Sequence, residues 1–295
     1  MIRIDACGEA CLCDFTFDFY WQHKGERLDM DRAVGGATYR QMVQALRRGE
    51  TVRICGDAGS RLGSSLGVDL KSFGGRGGPV EETGRIIVDG DVGSRMGISM
   101  LRGSIYVSGR IDPPLGNAVE AASDMTGYRK FVSITEVLER GTAILEPNVA
   151  DGAGLILNDG ILRDTVAARN PAQKGVLVHG DAGMSTAILM SGGEVVVEGN
   201  AGQNTGALMR GGRVVVLGCA GDFTGVQMRG GEIFVKGEAG SFICSKMTGG
   251  AVYARSGRCI PPARMQPLSP QMHPALARIF DLSPLYAMMY CKFSL

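Results

Sequence analysis

The feature that most constrains the fold is a repeat of 19 residues in the second half of the chain. Residues 193–212 read GEVVVEGNAGQNTGALMRGG, and residues 212–231 and 231–250 repeat this arrangement. The unit also occurs at 84–103, and a shorter form occupies 54–66. The columns that stay in phase are Gly180, Gly199, Gly218 and Gly237; Gly183, Gly202, Gly221 and Gly240; Gly193, Gly212, Gly231 and Gly250; and Met190, Met209, Met228 and Met247. A fixed period of this length indicates a stack of repeated units.

Each unit contains one short β-branched run bounded by glycine, such as VVVEG, VVVLG or IFVKG. No unit has the apolar spacing of an amphipathic helix, which excludes helical repeats. Because so small a unit cannot bury its apolar face alone, successive units must stack. We therefore predict an all-β fold: a right-handed parallel β-helix (β-solenoid) of 19-residue coils, with short helices at the N-terminus, in an insertion and in the tail. An antiparallel sandwich is the alternative interpretation.

The glycines of the three columns are predicted to be structural turn residues. They allow a positive φ, and they let the backbones of neighbouring coils approach closely. The Gly-Gly pair that ends each unit, as at Gly211-Gly212, fits a sharp corner.

Interruptions of the period predict three regions. Residues 1–49 hold an N-terminal strand, FTFDFYWQ, and a capping helix that begins after Thr38 and stops at Gly49. Residues 50–257 form the β-helix, and residues 258–295 form a C-terminal tail that either caps the last coil or docks on a partner.

Two segments interrupt the β-helix itself. Residues 67–83 are a polar, glycine-rich excursion, and residues 110–174 are an irregular insertion. Within the insertion, Ser133, Glu136 and Gly141 predict the start and the end of a short helix.

Composition and charge narrow the class of function. The net charge of +1 argues against bulk electrostatic attraction to nucleic acid or to a membrane. The N-terminus lacks the pattern of a secretory signal, and no run approaches the about 20 apolar residues of a membrane span. A cytoplasmic location is therefore predicted, with the eight cysteines reduced.

We predict no catalytic, cofactor-binding or metal-binding residue in this chain. It has no G-x-S-x-G, and none of its glycines opens a helix in the way of a phosphate loop. The histidines, His23, His179 and His273, lack metal-binding spacing, and His179 lies in a variable column that faces solvent. Rigid faces with little chemistry are typical of a structural or docking protein.

Two sets of polar residues leave alternatives open. Cys7, Cys11 and Cys13 are interpreted as buried or merely tolerated thiols or, alternatively, as a metal site. The other set consists of acidic residues that follow glycine, interpreted as turn residues bonded to the local backbone or, alternatively, as cation ligands. These are Asp57, Asp91, Asp181 and Asp222. Three cysteines inside the coils are predicted to be small core or turn residues, namely Cys55, Cys219 and Cys244.

The unit GGxVxVxGxAGxxxGxxMxGG resembles the GXGXG β-helix repeat over roughly residues 50–262. That repeat occurs in the C-terminal domain of the glutamate synthase large subunit, in the β-helix subunit of formylmethanofuran dehydrogenase, and in the related subunit of the formyltransferase/hydrolase complex. The segments DPPLGNAVEAASD, GYRKFVSITEVLERG and DGILRDTVAARN favour the formylmethanofuran dehydrogenase subunit. The first 49 residues and the tail after Pro262 match no part of the family that we recognise.

The resemblance implies a non-catalytic scaffold subunit. Partner subunits would carry a molybdenum or tungsten pterin, iron–sulfur clusters and a metal-dependent formyl-transfer site, and would reduce CO2 and attach the formyl group to methanofuran. One alternative is a GXGXG subunit of a glutamate synthase. An alternative of another class is a stand-alone esterase, which the lack of a nucleophile motif and the scarcity of histidine disfavour.

Overall fold

The computed structural model describes residues 1–5 and 29–295. Its backbone forms two compact units, and the boundary between them lies inside the predicted insertion. The predicted strand at 15–22 and the cysteines at positions 7, 11 and 13 lie outside the described residues. The first unit consists of Met1–Glu146 with Ile161–Asp164, and the second of Pro147–Gly160 with Thr165–Leu295.

The first unit is built on a parallel ladder of β1, β4, β5 and β6, to which β8 and then β7 add antiparallel. Arg85 of β5 pairs with Ser104 of β6, 19 residues on. Val52 of β4 pairs with Ile86, because the excursion at 67–83 lengthens that coil. The elements are β1 (Ile2–Asp5), β2 (Ala33–Val34), β3 (Ala37–Thr38), α1 (Tyr39–Arg47), β4 (Val52–Cys55), a 3₁₀ turn (Lys71–Phe73), β5 (Arg85–Val88), β6 (Ser104–Val107), β7 (Ala118–Ala121), β8 (Arg129–Ser133) and α2 (Ile134–Arg140).

Both predicted helices of the first unit are confirmed, and their caps are the predicted residues. Thr38 and Gln41 form a capping box at the start of α1, and α1 buries Met42 and Leu46 in the core of the first coils. Ser133 accepts the Glu136 N–H at the start of α2, and Gly141 ends that helix in the left-handed conformation.

The second unit is a longer parallel ladder, β10 to β15, closed by antiparallel strands at both ends. Glu194, Arg213 and Glu232 pair in succession, each 19 residues after the last. The predicted parallel β-helix is therefore confirmed. The elements are β9 (Val149–Ala150), β10 (Gly154–Leu157), β11 (Gly175–Val178), β12 (Glu194–Val197), β13 (Arg213–Val216), β14 (Arg229–Ile243), β15 (Gly249–Cys259), β16 (Arg264–Pro267), α3 (Met272–Phe280), α4 (Pro284–Ala287) and β17 (Cys291–Ser294).

The interior of the second unit is lined by ladders of equivalent side chains. Val195 and Val197 of β12 are fully buried, and their counterparts in the neighbouring strands are at most 6% exposed. The methionine column packs at the corner of each coil, and its members are at most 1% exposed: Met190, Met209, Met228 and Met247. The repeat thus aligns one apolar layer above another, as a solenoid requires.

The half of each coil that follows the strand has an unusual backbone, which the sequence pattern did not reveal. Ser185, Ala187 and Leu189 all have φ near +58°, although none is glycine. The Ser185 N–H donates to Gln203 of the next coil at 2.7 Å, and the Ala187 N–H donates to Val166 of the preceding coil at 2.8 Å. A left-handed conformation costs about 1–2 kcal/mol per non-glycine residue, and the bonds to both neighbouring coils satisfy the backbone that adopts it.

The tail caps the last coil by continuing its sheet. β17 pairs antiparallel with β15, and β16 pairs with β17 as the new edge. The edge strand β16 carries an exposed arginine, Arg264, and ends at Pro267. Both residue types disfavour pairing with further strands. Helices α3 and α4, which lie in the chain between β16 and β17, pack on the outer face of the sheet.

Candidate functional site

The outer face of the second unit carries a continuous apolar stripe, here called the outer column. Side chains alternate between the two faces along a strand, so the residue between two inward valines points outward. In five of the six strands this outward residue is aliphatic or phenylalanine, and in the last it is tyrosine. The outer column consists of Ile156, Leu177, Val196, Val215, Phe234 and Tyr253.

The tail covers the last three members of the outer column. Val215, Phe234 and Tyr253 are at most 5% exposed, and the rings of Phe234 and Tyr253 stack with centroids 4.7 Å apart. They share one packed cluster with apolar residues of the tail. The tail residues of this cluster are Leu268, Leu276, Ala277, Phe280, Ala287 and Tyr290.

The first three members of the outer column remain partly open. Ile156, Leu177 and Val196 are only half-buried, and they line a groove of about 270 Å³, here called the outer groove. Val196 and Ile279 of α3 are partly buried against the tail cluster, so the groove continues the covered surface.

Charged residues flank the outer groove. Glu194 and Asp151 line the groove, and Glu198, which is exposed, directly follows the strand that carries Val196. The His179 ring nitrogen Nδ1 lies 2.8 Å from a Glu198 carboxylate oxygen. Lys174 is a cation on the same margin, in a polar concavity that Glu194 also lines.

A second exposed apolar surface lies on and just after α4. Leu285 is 74% exposed, and Tyr286, Met288 and Met289 are each more than half exposed. Ala287 and Tyr290 between them are buried in the tail cluster. Four large apolar side chains together at the surface mark a contact site rather than scattered surface residues.

The outer face of the first unit carries a network of hydrogen-bonded polar side chains instead of an apolar stripe. The Tyr106 hydroxyl donates to the Asp124 carboxylate at 2.6 Å, and Lys130 Nζ lies 3.0 Å from the same oxygen. The hydrogen bond from Tyr106, followed by that from Lys130, lowers the pKa of Asp124 to about 2. Tyr128 and Arg53 both donate to Asp89 nearby.

This network predicts a pH-dependent contribution to stability. Since the pKa of Asp124 is lower in the folded chain than in the unfolded one, its contribution is complete above about pH 4 and fades as the pH falls towards 2. Asp124→Asn should therefore destabilise the first unit at pH 7, and the difference from the wild type should shrink as the pH falls through about 2. Denaturant titrations of both proteins across this range test it, and a difference in stability that stays as large at pH 2 as at pH 7 contradicts it.

Within the described part of the chain, the sequence-predicted polar residues do not form a metal-binding cluster, and His23 lies outside that part. Among residues 1–5 and 29–295, no group of three or more His, Cys, Asp or Glu side chains could hold a metal ion. The side chain of His179 is 39% exposed, as its variable column predicted. His273 lies in α3.

The acidic turn residues make a ladder between coils. Asp181 accepts the N–H of Asn200 at 2.6 Å, and Asp222 accepts the N–H of Ser241 at 2.8 Å, each 19 residues on. The prediction that these side chains bond to their own local backbone was wrong about the bonding partner. Each aspartate instead accepts a hydrogen bond from the equivalent turn of the next coil. Asp91 likewise accepts the N–H of Arg110, and this hydrogen bond lowers the pKa of the Asp91 carboxyl.

The glycine columns lie at the corners and turns between coils. In the column of Gly-Gly corners, Gly193, Gly212, Gly231 and Gly250 all have positive φ. At Gly202, by contrast, a Cβ would lie 2.7 Å from the carbonyl carbon of Gly183, so the close approach of two coils requires the missing side chain.

The cysteines inside the coils differ in accessibility. Cys219 is exposed at a turn, where its N–H donates to Asn200. Cys55 is half-buried, and Cys244 is fully buried, so burial raises the pKa of its thiol to about 12.

This contrast predicts selective alkylation. A brief iodoacetamide pulse on the native protein at pH 8 should modify Cys219 and leave Cys244 intact, because the thiolate is the nucleophile. Peptide mapping by mass spectrometry measures both sites in one sample. Unfolding in guanidinium before the pulse is the control and should expose Cys244 to modification. Comparable labelling of both thiols in the native protein would contradict the burial of Cys244.

The outer column was missed in the sequence, although a signal for it is present. The runs VVV and IFV are apolar at consecutive positions, whereas a strand with one solvated face alternates. Strands that are apolar on both faces indicate that something covers the outside of the sheet as well as the inside.

The fold defines this chain as a parallel β-helix protein. No known family model matches it. It is 46% identical over 199 residues to an uncharacterized protein of Methanothermobacter thermautotrophicus (strain Delta H). That match covers 66% of this chain and 65% of the relative, so the chain spans just under two thirds of the relative's length. In the described part of the chain, no helix has the length and apolarity to cross a membrane.

Proposed function

We propose that this chain is a non-catalytic structural subunit of a cytoplasmic complex of the formylmethanofuran dehydrogenase type. The observation that carries the proposal is the open half of the outer column, where Ile156, Leu177 and Val196 form an apolar groove that continues a covered one. The exposed surface of α4 supports it, because a second large apolar patch also calls for a partner.

In this role the β-helix acts as a brace. Each coil is bonded to its neighbours along the strands and along the left-handed half, which makes the faces rigid. A rigid face positions partner subunits at low cost in conformational entropy. The resemblance to the GXGXG repeat suggests which partners these are: subunits with a molybdenum or tungsten pterin, iron–sulfur clusters and a formyl-transfer site.

Native purification tests the proposal. The endogenous protein is purified under mild conditions, its companions are identified by mass spectrometry, and the metals are quantified. Co-elution of molybdenum or tungsten with iron–sulfur subunits is the expected result. An FMN-containing amidotransferase partner would instead identify a glutamate synthase subunit. A protein that elutes alone, free of metal and with its own ester-hydrolysing turnover, would exclude the scaffold role.

A further inference from the structure

We propose that the outer groove binds an amphipathic helix of a partner subunit, with an apolar face and basic flanks. This inference rests on the proposed function, since it names the partner segment that a scaffold role requires. The groove lies entirely within the second unit, on the outward side of β10, β11 and β12.

The chain itself shows what packs on this face. Helix α3 places Leu276 and Phe280, one turn apart, in the cluster that covers Phe234. A sheet face has no free backbone groups to pair with a strand, so it is covered by a helix or by another sheet. The occupant of the open half is therefore of the same kind as the occupant of the covered half.

The spacing fits one further helix. Packed helices lie about 8–10 Å apart, and neighbouring strands lie about 4.8 Å apart, so one helix covers roughly two strands. Beyond Val196, which already touches the tail cluster, the outer column continues for Leu177 and Ile156. A single helix beside α3 would cover both.

The charged residues beside the outer groove indicate which side chains should flank the apolar stripe of the partner helix. Glu194 and Asp151 line the outer groove, and the exposed Glu198 lies two residues after Val196 in the chain. Lys174 and the His179 ring are the basic groups beside these three carboxylates. The Arg213 guanidinium lies between two further acidic partners, with nitrogen–oxygen distances of 3.6 Å to Glu194 and 3.9 Å to Glu232. A partner helix with lysine or arginine beside its apolar stripe complements this excess of negative charge.

The test uses the tagged full-length chain, purified from its native host with whatever it binds. Leu177→Asp puts a carboxylate into the interface and should lower recovery of the partner on the order of 100-fold. Leu145→Asp is the matched control, because Leu145 is 41% exposed in the first unit and should leave recovery unchanged. Thermal unfolding of both variants should match the wild type, since Leu177 is only half-buried.

A photo-crosslinker identifies the segment that occupies the groove. Benzoylphenylalanine in place of Leu177 should link to one partner peptide with apolar residues at i, i+3, i+4 and i+7 and a net positive charge. An acidic or extended segment at this position, or a second copy of this chain, would overturn the proposal.

The outcomes separate the two proposals. If the metal-containing subunits are retained by Leu177→Asp as well as by the wild type, the groove proposal fails and the proposed function stands. If the groove captures a basic helix but no subunit with molybdenum, tungsten or iron–sulfur clusters co-purifies with the wild-type chain, the proposed function fails and the groove proposal stands. A wild-type chain that elutes alone overturns both.

Discussion

Phe280→Ala is expected to destabilise the second unit by about 3–5 kcal/mol and to release the tail from the outer face of the sheet. Phe280 is 1% exposed, and its ring stacks on Tyr290 with centroids 5.3 Å apart. The substitution leaves a cavity between α3 and the outer column, where Phe234 and Tyr253 lie. Denaturant titration of the full chain measures the loss of stability.

Hydrogen exchange shows whether the loss concerns the tail. β17 pairs with β15 only while the tail is docked, so the amides that join these two strands should exchange faster in Phe280→Ala. Leu285→Ala is the control, because Leu285 is 74% exposed and its truncation should change stability by less than about 0.5 kcal/mol. Equal effects of the two substitutions would mean that α3 does not hold the tail in place.

Gly212→Ala is expected to cost about 2–5 kcal/mol. Gly212 has φ +82°, and the added Cβ would lie 2.8 Å from both the Met190 methyl and the Gly193 carbonyl oxygen. The left-handed conformation accounts for about 1–2 kcal/mol and overpacking for about 1–3 kcal/mol. The free energy of unfolding at neutral pH measures the sum.

Gly160→Ala separates these two effects. Gly160 belongs to the same unit and has φ +68°, but no atom lies within 4 Å of an added Cβ. Its substitution should cost only about 1–2 kcal/mol, from the backbone conformation alone. If the two variants lose the same stability, the corner glycines are selected for conformation and not for the contact with the methionine column.

Contacts between neighbouring coils hold the faces of the β-helix rigid. The corner glycines bring coils together at the methionine column, and the aspartate ladder ties one turn to the next. The tail closes the end of the sheet and covers half of the outer column. Closing the end of the sheet matters because an unprotected sheet edge pairs with other chains.

Much of the fold was predictable because every coil repeats the same sequence pattern. The 19-residue period, the β-branched runs and the glycine columns depend on contacts between equivalent positions, so one pattern in the sequence reports all of them. The helices after Thr38 and Ser133 were predictable for a different reason. Their caps are local, and the residues that form them lie within three positions of each other.

The candidate site was not predictable in the same way. The period placed Val196 and Val215 in one column, but it could not say that the tail covers Val215 and leaves Val196 at an open margin. That difference depends on Phe280, far along the chain and outside the repeat. Likewise, the partners of Asp181 and Ser185 lie in the next coil, at a distance that only the stacking of coils defines.

The amino-acid sequence by itself determined a parallel β-helix with capped helices. The period depends only on equivalent residues of successive coils, and the caps depend only on residues that are close together in the chain. Only the tertiary structure decided which part of the outer column is open, because burial of an apolar residue depends on whatever segment folds back over it. The chain covers the outer face of its last three coils with its own tail, and it leaves the groove of Ile156, Leu177 and Val196 open.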